Sequence, residues 1–250
     1  KNYKKFTSFT IVRGRGLEGK LGKSKIIIGN RTLMNEKNIS FKIIEQQIKG
    51  WEEEGKTTMI IAENSKVIGA VAVADAVKDD SVKAIGALRR RGYRTVMITG
   101  DNETTAKAIA KQVGIDEVIA NVLPEEKAKK VGELQRRGMV AFVGDGINDA
   151  PALKQSNVSI AMGSGSDIAI EVGDIVLVKG SLIGVVQAIN LSKATFRKIK
   201  QNLFWAFGYN VVAIPLAVAG VLNPIVAELA MALSSISVVA NANLLRRAKI

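Results

Sequence analysis

The chain has 250 residues, enough for one or two domains, and carries 36 Lys and Arg against 23 Asp and Glu, a formal net charge of +13. It contains neither Cys nor His, which excludes a disulfide framework, a thiolate metal site and histidine chemistry within these residues. The basic residues are spread over several predicted helices and beside apolar segments. Solvated helix faces and membrane-flanking charge therefore explain the excess better than nucleic-acid binding, and no nucleic-acid partner is predicted.

The first quarter of the chain is rich in short β patterns. Residues 7–12 and 25–28 are typical of strands, and a G-x-G sequence with Gly14 and Gly16 lies between them. Gly29 and Asn30 close the second predicted strand. A lone G-x-G is a weak signal, because glycine in a turn is its usual explanation.

A predicted hairpin follows, with strands at 57–62 and 66–74. The second strand runs into a D-x-x-K sequence that begins at Asp75, and a helix is predicted over 81–91. A carboxylate before a helix is favoured by the helix dipole, which is the structural explanation for Asp75.

Strands and helices alternate through the middle of the chain. The predicted segments are 95–98, 103–113, 117–120, 125–137, 139–143, 150–154, 158–161, 166–171 and 175–178. Such alternation indicates an α/β fold in which helices cover both faces of a parallel sheet.

Polar motifs follow two of these segments. The apolar run 95–98 ends in Thr99, Gly100 and Asp101, at the edge where open α/β sheets bind ligands. An L-P-E-E-K stretch then places Lys127 early in a helix, where it offers a point positive charge of the kind used on phosphate.

The most informative stretch reads G-D-G-I-N-D-A-P-A-L over 144–153, directly after the apolar run 139–143. It delivers two carboxylates, Asp145 and Asp149, into a loop that begins with Gly144. Two acids in such a loop suit a hard cation, most often Mg²⁺. The glycines let a phosphate and its metal approach the backbone closely.

The T-G-D, L-P-x-x-K and G-D-G-x-N-D-x-P-A-L elements, in this order, resemble the phosphorylation domain of P-type ATPases, a branch of the haloacid-dehalogenase-like hydrolases. The alternative is an ordinary doubly wound domain with polar loop ends. The resemblance implies phosphoryl transfer through an aspartyl-phosphate, whose nucleophile lies in a D-K-T-G-T motif that this sequence lacks. It assigns catalytic roles to Thr99, Gly100, Asp101, Lys127, Asn148 and Asp149, and Mg²⁺ binding to Asp145 and Asp149.

The N-terminal motifs resemble those of the heavy-metal branch of this family. There a G-x-G turn and a later G-N pair line the adenine pocket, and D-x-x-K forms the hinge to the phosphorylation domain. The resemblance therefore assigns ATP binding to Gly14, Gly16, Gly29, Asn30 and Asp75. The His-Pro pair of that family is absent from this sequence.

The last quarter of the chain contains two apolar stretches, 203–222 with no charge and 225–245 with one, and each is long enough to cross a bilayer as a helix. They form a predicted hairpin that turns at Asn223 and Pro224, preceded by an amphipathic helix over 183–200. Basic residues flank both outer ends, which places both ends in the cytoplasm. The alternative is a pair of buried soluble helices.

The two predicted spans carry polar side chains at helical spacing. Asn202 and Tyr209 are two turns apart on one face, and Met231 and Ser235 share a face of the second span. A polar stripe in a membrane helix is functional by default, and a thioether prefers a soft ion such as Cu⁺. Helix packing by Ser and Asn, with Met as filler, is the alternative. The pattern is similar to the last two helices of copper(I)-exporting P-type ATPases, which implies that Tyr209, Asn210, Met231 and Ser235 bind the transported Cu⁺, together with a C-P-C motif on a helix that this sequence lacks.

The sequence thus resembles the C-terminal part of a copper(I)-exporting P-type ATPase that uses ATP and Mg²⁺. We expect the end of a nucleotide-binding domain at 1–74, a phosphorylation domain at 75–182, and a connecting helix with a transmembrane hairpin at 183–250. The expected partners are the N-terminal part of the same protein, a metallochaperone and the lipid bilayer, and the plasma membrane is the expected location. The alternatives are a pump for Cu²⁺/Ag⁺ or Zn²⁺, a soluble phosphatase of the same superfamily, and a non-catalytic nucleotide-binding module. A zinc pump would be expected to show a Lys and an Asp in the two spans, and neither is present.

Overall fold

The computed structural model describes residues 5–74, 76–145, 147–163, 171–221 and 223–247. The chain divides into two compact units, Lys1–Ile183 and Gly184–Ile250. Asp75 and most of the predicted helix at 166–171 lie outside the described residues.

An antiparallel sheet of five strands, in the order β1-β2-β3-β4-β5, opens the first unit. Two helices, α1 and α2, lie between its third and fourth strands in the chain. The elements are β1 (Ser8–Val12), β2 (Gly16–Leu21), β3 (Ser24–Gly29), α1 (Arg31–Glu36), α2 (Glu45–Glu53), β4 (Thr57–Glu63) and β5 (Lys66–Val73).

One face of this sheet forms a core with the two helices. Alternate residues of β4, among them Ile60, point to the buried face, where Leu33, Met34 and Ile48 of the helices meet them. The predicted strands at 7–12, 25–28, 57–62 and 66–74 are confirmed within a residue or two. Strand β2 and helices α1 and α2 were not predicted from the sequence. Glycines occupy two of the six positions of β2 and hide its strand pattern.

Parallel strands and helices form the rest of the first unit. Strands β6 and β7 pair in parallel, and a second parallel sheet has the order β10-β9-β8. The predicted α/β fold is confirmed, with the parallel strands of the described segments divided between two sheets. The elements are α3 (Asp79–Arg90), β6 (Val96–Ile98), α4 (Glu103–Val113), β7 (Glu117–Ile119), α5 (Lys127–Gln135), β8 (Ala141–Gly144), α6 (Ala150–Gln155), β9 (Val158–Met162) and β10 (Ile175–Leu177).

Two helices form the second unit. The predicted amphipathic helix and the first predicted span make one helix, α7 (Ile183–Val218), and α8 (Pro224–Asn243) follows. Asn223 caps α8, because its side chain accepts a hydrogen bond from the backbone N–H of Ile225.

One helix of the described residues, Ile225–Arg246, is long and apolar enough to cross a membrane. The helix that contains the first predicted span, 203–222, ends at Val218. This span includes Tyr209 and Asn210. Its helical apolar part is therefore shorter than that of the second span.

Candidate active site

The T-G-D loop begins directly after β6 and is closed by its own side chains. Thr99 Oγ1 donates to Asp101 Oδ2 at 2.9 Å, and the backbone N–H of Asp101 donates to Thr99 Oγ1 at 3.1 Å. The other carboxylate oxygen of Asp101 accepts from Thr57 Oγ1 of β4 at 3.0 Å. The Thr99 hydroxyl, to which the resemblance assigns a catalytic role, therefore donates to Asp101 in this structure, and it must turn to reach a phosphate.

Lys127 of the L-P-x-x-K motif and Asp149 of the 144–153 motif form an ion pair. Lys127 is the first residue of α5, and Asp149 directly precedes α6. Lys127 Nζ lies 2.6 Å from Asp149 Oδ1, and the two side chains are 20% and 13% exposed. The loops that carry the two motifs thus meet at a largely enclosed ion pair.

The last residue of β8, Gly144, lies so close to Asp149 that only glycine fits at this position. A Cβ built at Gly144 would lie 2.8 Å from Cβ of Asp149 and 3.0 Å from its Oδ2. The carboxylate of Asp149 therefore packs directly on the backbone of β8, and a side chain at position 144 would displace it.

Asp145 differs from Asp149 in its surroundings. It directly follows β8 and is exposed, as is Asn148. Among the described residues, no group of three or more His, Cys, Asp or Glu could hold a metal. A site with one or two carboxylates still fits Mg²⁺, which usually keeps several waters and binds substrate phosphates. Asp145 can supply a direct ligand, whereas Asp149 is already engaged by Lys127.

The two glycine motifs of the sheet pack against each other. Gly16 of β2 pairs with Gly29 of β3, and a Cβ at Gly16 would lie 2.1 Å from the carbonyl oxygen of Ile28. Asn30 Nδ2 donates to the carbonyl oxygen of Gly14 at 3.2 Å. The G-x-G turn and the G-N pair therefore form one local structure, as a shared pocket wall requires.

This local structure also lies near the L-P motif. A Cβ built at Gly14 would lie 3.0 Å from Leu123 Cδ2. The L-P-x-x-K motif therefore contacts two others, because Leu123 lies at the G-x-G turn and Lys127 pairs with Asp149. The T-G-D loop contacts β4 through Thr57.

The predicted copper ligands lie on the two helices of the second unit. Tyr209 packs near Trp205, with ring centroids 6.2 Å apart. Asn210 Nδ2 donates to the carbonyl oxygen of Ala206 in its own helix at 2.8 Å. Met231 is 70% exposed, and Ser235 is exposed as well. A shared ion site for these four residues stays a prediction.

Two hydrogen bonds that join these helices lie elsewhere. Asn241 Nδ2 donates to Asn202 Oδ1 at 2.8 Å, and Lys198 Nζ donates to Asn241 Oδ1 at 2.7 Å. Asn202 was predicted on a polar stripe, whereas its partner Asn241 was not predicted as a contact residue. An amide near the end of a largely apolar helix was the signal available for Asn241.

Comparison with known proteins gives a family match. A model of the family described as haloacid dehalogenase-like hydrolase matches residues 2–157, and a second model of that description matches residues 132–189. The chain is 51% identical to the copper-exporting P-type ATPase of Staphylococcus saprophyticus over 245 residues, and 51% identical to that of Staphylococcus aureus over 246 residues. Each alignment covers 98% of this chain and 31% of the relative, so the chain spans about a third of the length of these curated relatives.

Solved structures of similar fold include two ATPases. The structure of a zinc-transporting PIB-type ATPase in the E2.Pi state superimposes with a TM-score of 0.72 at 34% identity, over 96% of this chain and 39% of that one. The catalytic domain of a CPx-ATPase, CopB-B, gives a TM-score of 0.51 at 26% identity, over 74% of this chain and 64% of that one. The resemblance to heavy-metal P-type ATPases that the motifs indicated is thus confirmed in sequence and in fold.

Proposed function

Because the chain belongs to the haloacid dehalogenase-like hydrolase family, we propose that it supplies the phosphoryl-transfer site and the last membrane helices of an ATP-driven copper(I) exporter of the P-type ATPase class. The observation that carries this proposal is the Lys127–Asp149 ion pair, which packs against Gly144 at the carboxyl end of β8, and the exposed Asp145 is the next residue. The identity of 51% to copper-exporting ATPases supports copper as the transported ion.

Each side chain of the site has a role in this proposal. Asp145 would hold Mg²⁺, and Lys127 would offset the negative charge on the phosphoryl group. Asn148 and Asp149 orient these two groups, since Asp149 fixes Lys127 at 2.6 Å. Thr99 donates to a phosphate oxygen, and Gly100 allows the close approach. Positioning and charge stabilisation of this kind provide most of the catalysis in phosphoryl transfer.

The nucleophilic Asp comes from another segment of the protein. Strands β6 and β8 each keep one edge unpaired among the described residues, because the sheet orders are β6-β7 and β10-β9-β8. One parallel strand between them would unite the two sheets and bring its own carboxyl end beside Thr99 and Asp145. We propose that this strand carries the D-K-T-G-T aspartate and belongs to the N-terminal part of the same protein.

The sheet of five strands is the proposed nucleotide-binding part. ATP binds beside Gly14, Gly16, Gly29 and Asn30, and Asp75, outside the described residues, is at the hinge. The division into 1–74, 75–182 and 183–250 follows from these roles.

The second unit is the proposed membrane part. Tyr209, Asn210, Met231 and Ser235 contribute to a Cu⁺ site, a metallochaperone delivers the ion, and both ends of the helical pair are cytoplasmic in the plasma membrane. Copper is favoured over zinc because the identity to copper-exporting relatives is 51%, against 34% for the zinc-transporting structure.

The test is phosphoenzyme formation in the longer protein that contains this chain. Asp145→Asn should abolish phosphorylation from radiolabelled ATP while leaving the fold intact, because the amide is a much weaker Mg²⁺ ligand. Asp79→Asn, at another exposed carboxylate, is the matched control and should keep the wild-type level. Wild-type phosphoenzyme in Asp145→Asn would refute the site.

A further inference from the structure

A buried carboxylate connects the five-stranded sheet to the T-G-D loop. Glu52 of α2 is 3% exposed, and its oxygens accept four hydrogen bonds. Arg31 donates two of them, from Nε to Oε1 and from Nη2 to Oε2, each at 3.1 Å. Thr58 Oγ1 and Asn102 Nδ2 both donate to Oε1, at 2.9 and 3.2 Å. Because a buried carboxylate depends on such donors, these side chains hold one another in place.

One end of this network is the predicted nucleotide site. Arg31 is the first residue of α1 and directly follows Asn30. The Asn30 side chain caps α1 by accepting from the backbone N–H of Leu33, and it donates to the carbonyl oxygen of Gly14. A ligand that moves the G-x-G turn or the G-N pair therefore moves the residue that holds Glu52.

The other end is the T-G-D loop. Asn102 directly follows Asp101 and caps α4, because its Oδ1 accepts from the backbone N–H of Thr105 at 3.0 Å. Thr57 Oγ1, at the start of β4, donates to Asp101 Oδ1. A shift of α2 and β4 therefore acts on both residues that follow Gly100.

We propose that Glu52 is a positioning residue that couples nucleotide binding on the five-stranded sheet to the geometry of the T-G-D loop. The inference rests on the proposed function and deepens it. ATP bound at the G-N pair fixes Arg31, Arg31 fixes the Glu52 carboxylate, and Asn102 follows because its amide donates to that carboxylate. Coupling between two sites is reciprocal, so breaking the contact to Asn102 weakens the response to ATP.

The chain offers a matched pair of variants. Asn102→Ser keeps an oxygen that can cap α4 but has no amide to reach Glu52. Thr58→Val removes another hydrogen bond to the same Oε1 atom, inside the five-stranded part, and leaves the contact with Asn102. Two quantities are measured for both variants in the longer protein. The first is the ATP concentration that gives half-maximal phosphorylation, and the second is the level of phosphorylation from inorganic phosphate without nucleotide.

We expect Asn102→Ser to raise the half-maximal ATP concentration about tenfold, as the loss of a hydrogen bond to a charged group predicts. Phosphorylation from inorganic phosphate stays unchanged in this variant, because that reaction uses the T-G-D loop without nucleotide. Thr58→Val leaves the ATP dependence unchanged, because the contact between Glu52 and Asn102 remains, even though the thermal stability of the variant falls.

Three results would overturn the inference. The first is an unchanged ATP dependence in Asn102→Ser, and the second is an equal shift in Thr58→Val, which would make the network structural only. The third is equal loss of phosphorylation from ATP and from inorganic phosphate in Asn102→Ser. A wild-type protein that forms no phosphoenzyme from either source would instead refute the proposed function, and the inference with it.

Discussion

Lys127 and Asp149 lie 22 residues apart in two different motifs, and Lys127 Nζ is 2.6 Å from Asp149 Oδ1. Asp149 is a buried residue and lies against the backbone of Gly144. The ion pair therefore fixes the ammonium group next to the loop that carries Asp145. In the proposed function this charge offsets that of the phosphoryl group, so removal of the Lys127 side chain tests the site.

Lys127→Ala should lower the rate of phosphorylation from ATP about a hundredfold, the usual scale for loss of one stabilising group in a charged site. It should also lower the free energy of unfolding by about 1–3 kcal/mol, because the enclosed carboxylate of Asp149 loses its partner. Rapid-quench phosphorylation and thermal unfolding measure the two effects. Lys130→Ala is the control: Lys130 lies on the same helix and pairs with Glu133 at the surface. An equal rate loss in both variants would contradict the role of Lys127.

Gly144→Ala should displace Asp149, because the added Cβ would lie 2.8 Å from the Cβ of that residue. We expect a loss of about 1–3 kcal/mol in the free energy of unfolding, as for overpacking elsewhere, and a lower phosphorylation rate. Gly132→Ala in α5 is the matched control, since its Cβ would lie 3.7 Å from the nearest atom, Gln155 Nε2. That variant should gain up to about 1 kcal/mol from helix propensity. Normal phosphorylation in Gly144→Ala would contradict the packing argument.

The helices and strands beside the motifs could be predicted from the sequence, whereas the contacts between motifs could not. Helix α4 has its predicted bounds, Glu103–Val113, because Asn102 caps its start and Gly114 ends it in a left-handed conformation, at φ +84°. Both signals are local. Glu52 was not found, since its contact to Asn102 spans 50 positions and no periodicity marks it. A buried acid in an amphipathic helix looks like any other polar position in a sequence.

Asp174 should contribute to stability in a pH-dependent way. The Ser159 hydroxyl and then the Ser159 backbone N–H donate to its carboxylate and hold the pKa of Asp174 below its ordinary value. A lowered pKa in the folded state stabilises the fold above the unfolded-state pKa, about 4, and this contribution disappears as the pH falls through the folded-state pKa. Asp174→Asn should therefore be less stable than the wild type at pH 7, and the difference should shrink below about pH 4. Thermal unfolding in detergent across pH 3–7 tests this, and a constant difference would contradict it.

Asn241→Leu should weaken the association of α7 and α8, because Asn241 both donates to Asn202 and accepts from Lys198. Hydrogen bonds between membrane helices contribute about 0.6 kcal/mol each on average, and up to about 1.7. Unfolding in mixed micelles should show a loss of about that size per bond. Asn243→Leu, at an exposed position of the same helix end, is the control and should change little. Equal effects of the two substitutions would show that the amide contacts do not hold the helices together.

The proposed Cu⁺ site is tested most cleanly at Met231. Met231 is exposed on α8, and Ser235 lies one turn further along the same face, so a thioether and a hydroxyl are presented together. Met231→Leu keeps volume and apolarity but removes the sulfur, so the free energy of unfolding should change by less than about 1.5 kcal/mol. Cu⁺-stimulated ATP hydrolysis should fall strongly, because leucine cannot bind a soft ion, while phosphorylation from inorganic phosphate persists.

Leu233→Met is the matched control, since it adds a thioether at another exposed position of the helix. Unchanged Cu⁺ stimulation and stoichiometry in Met231→Leu and Asn210→Ala would refute the site, and stimulation of the wild-type protein by Zn²⁺ in place of Cu⁺ would assign it to the rival class of pump.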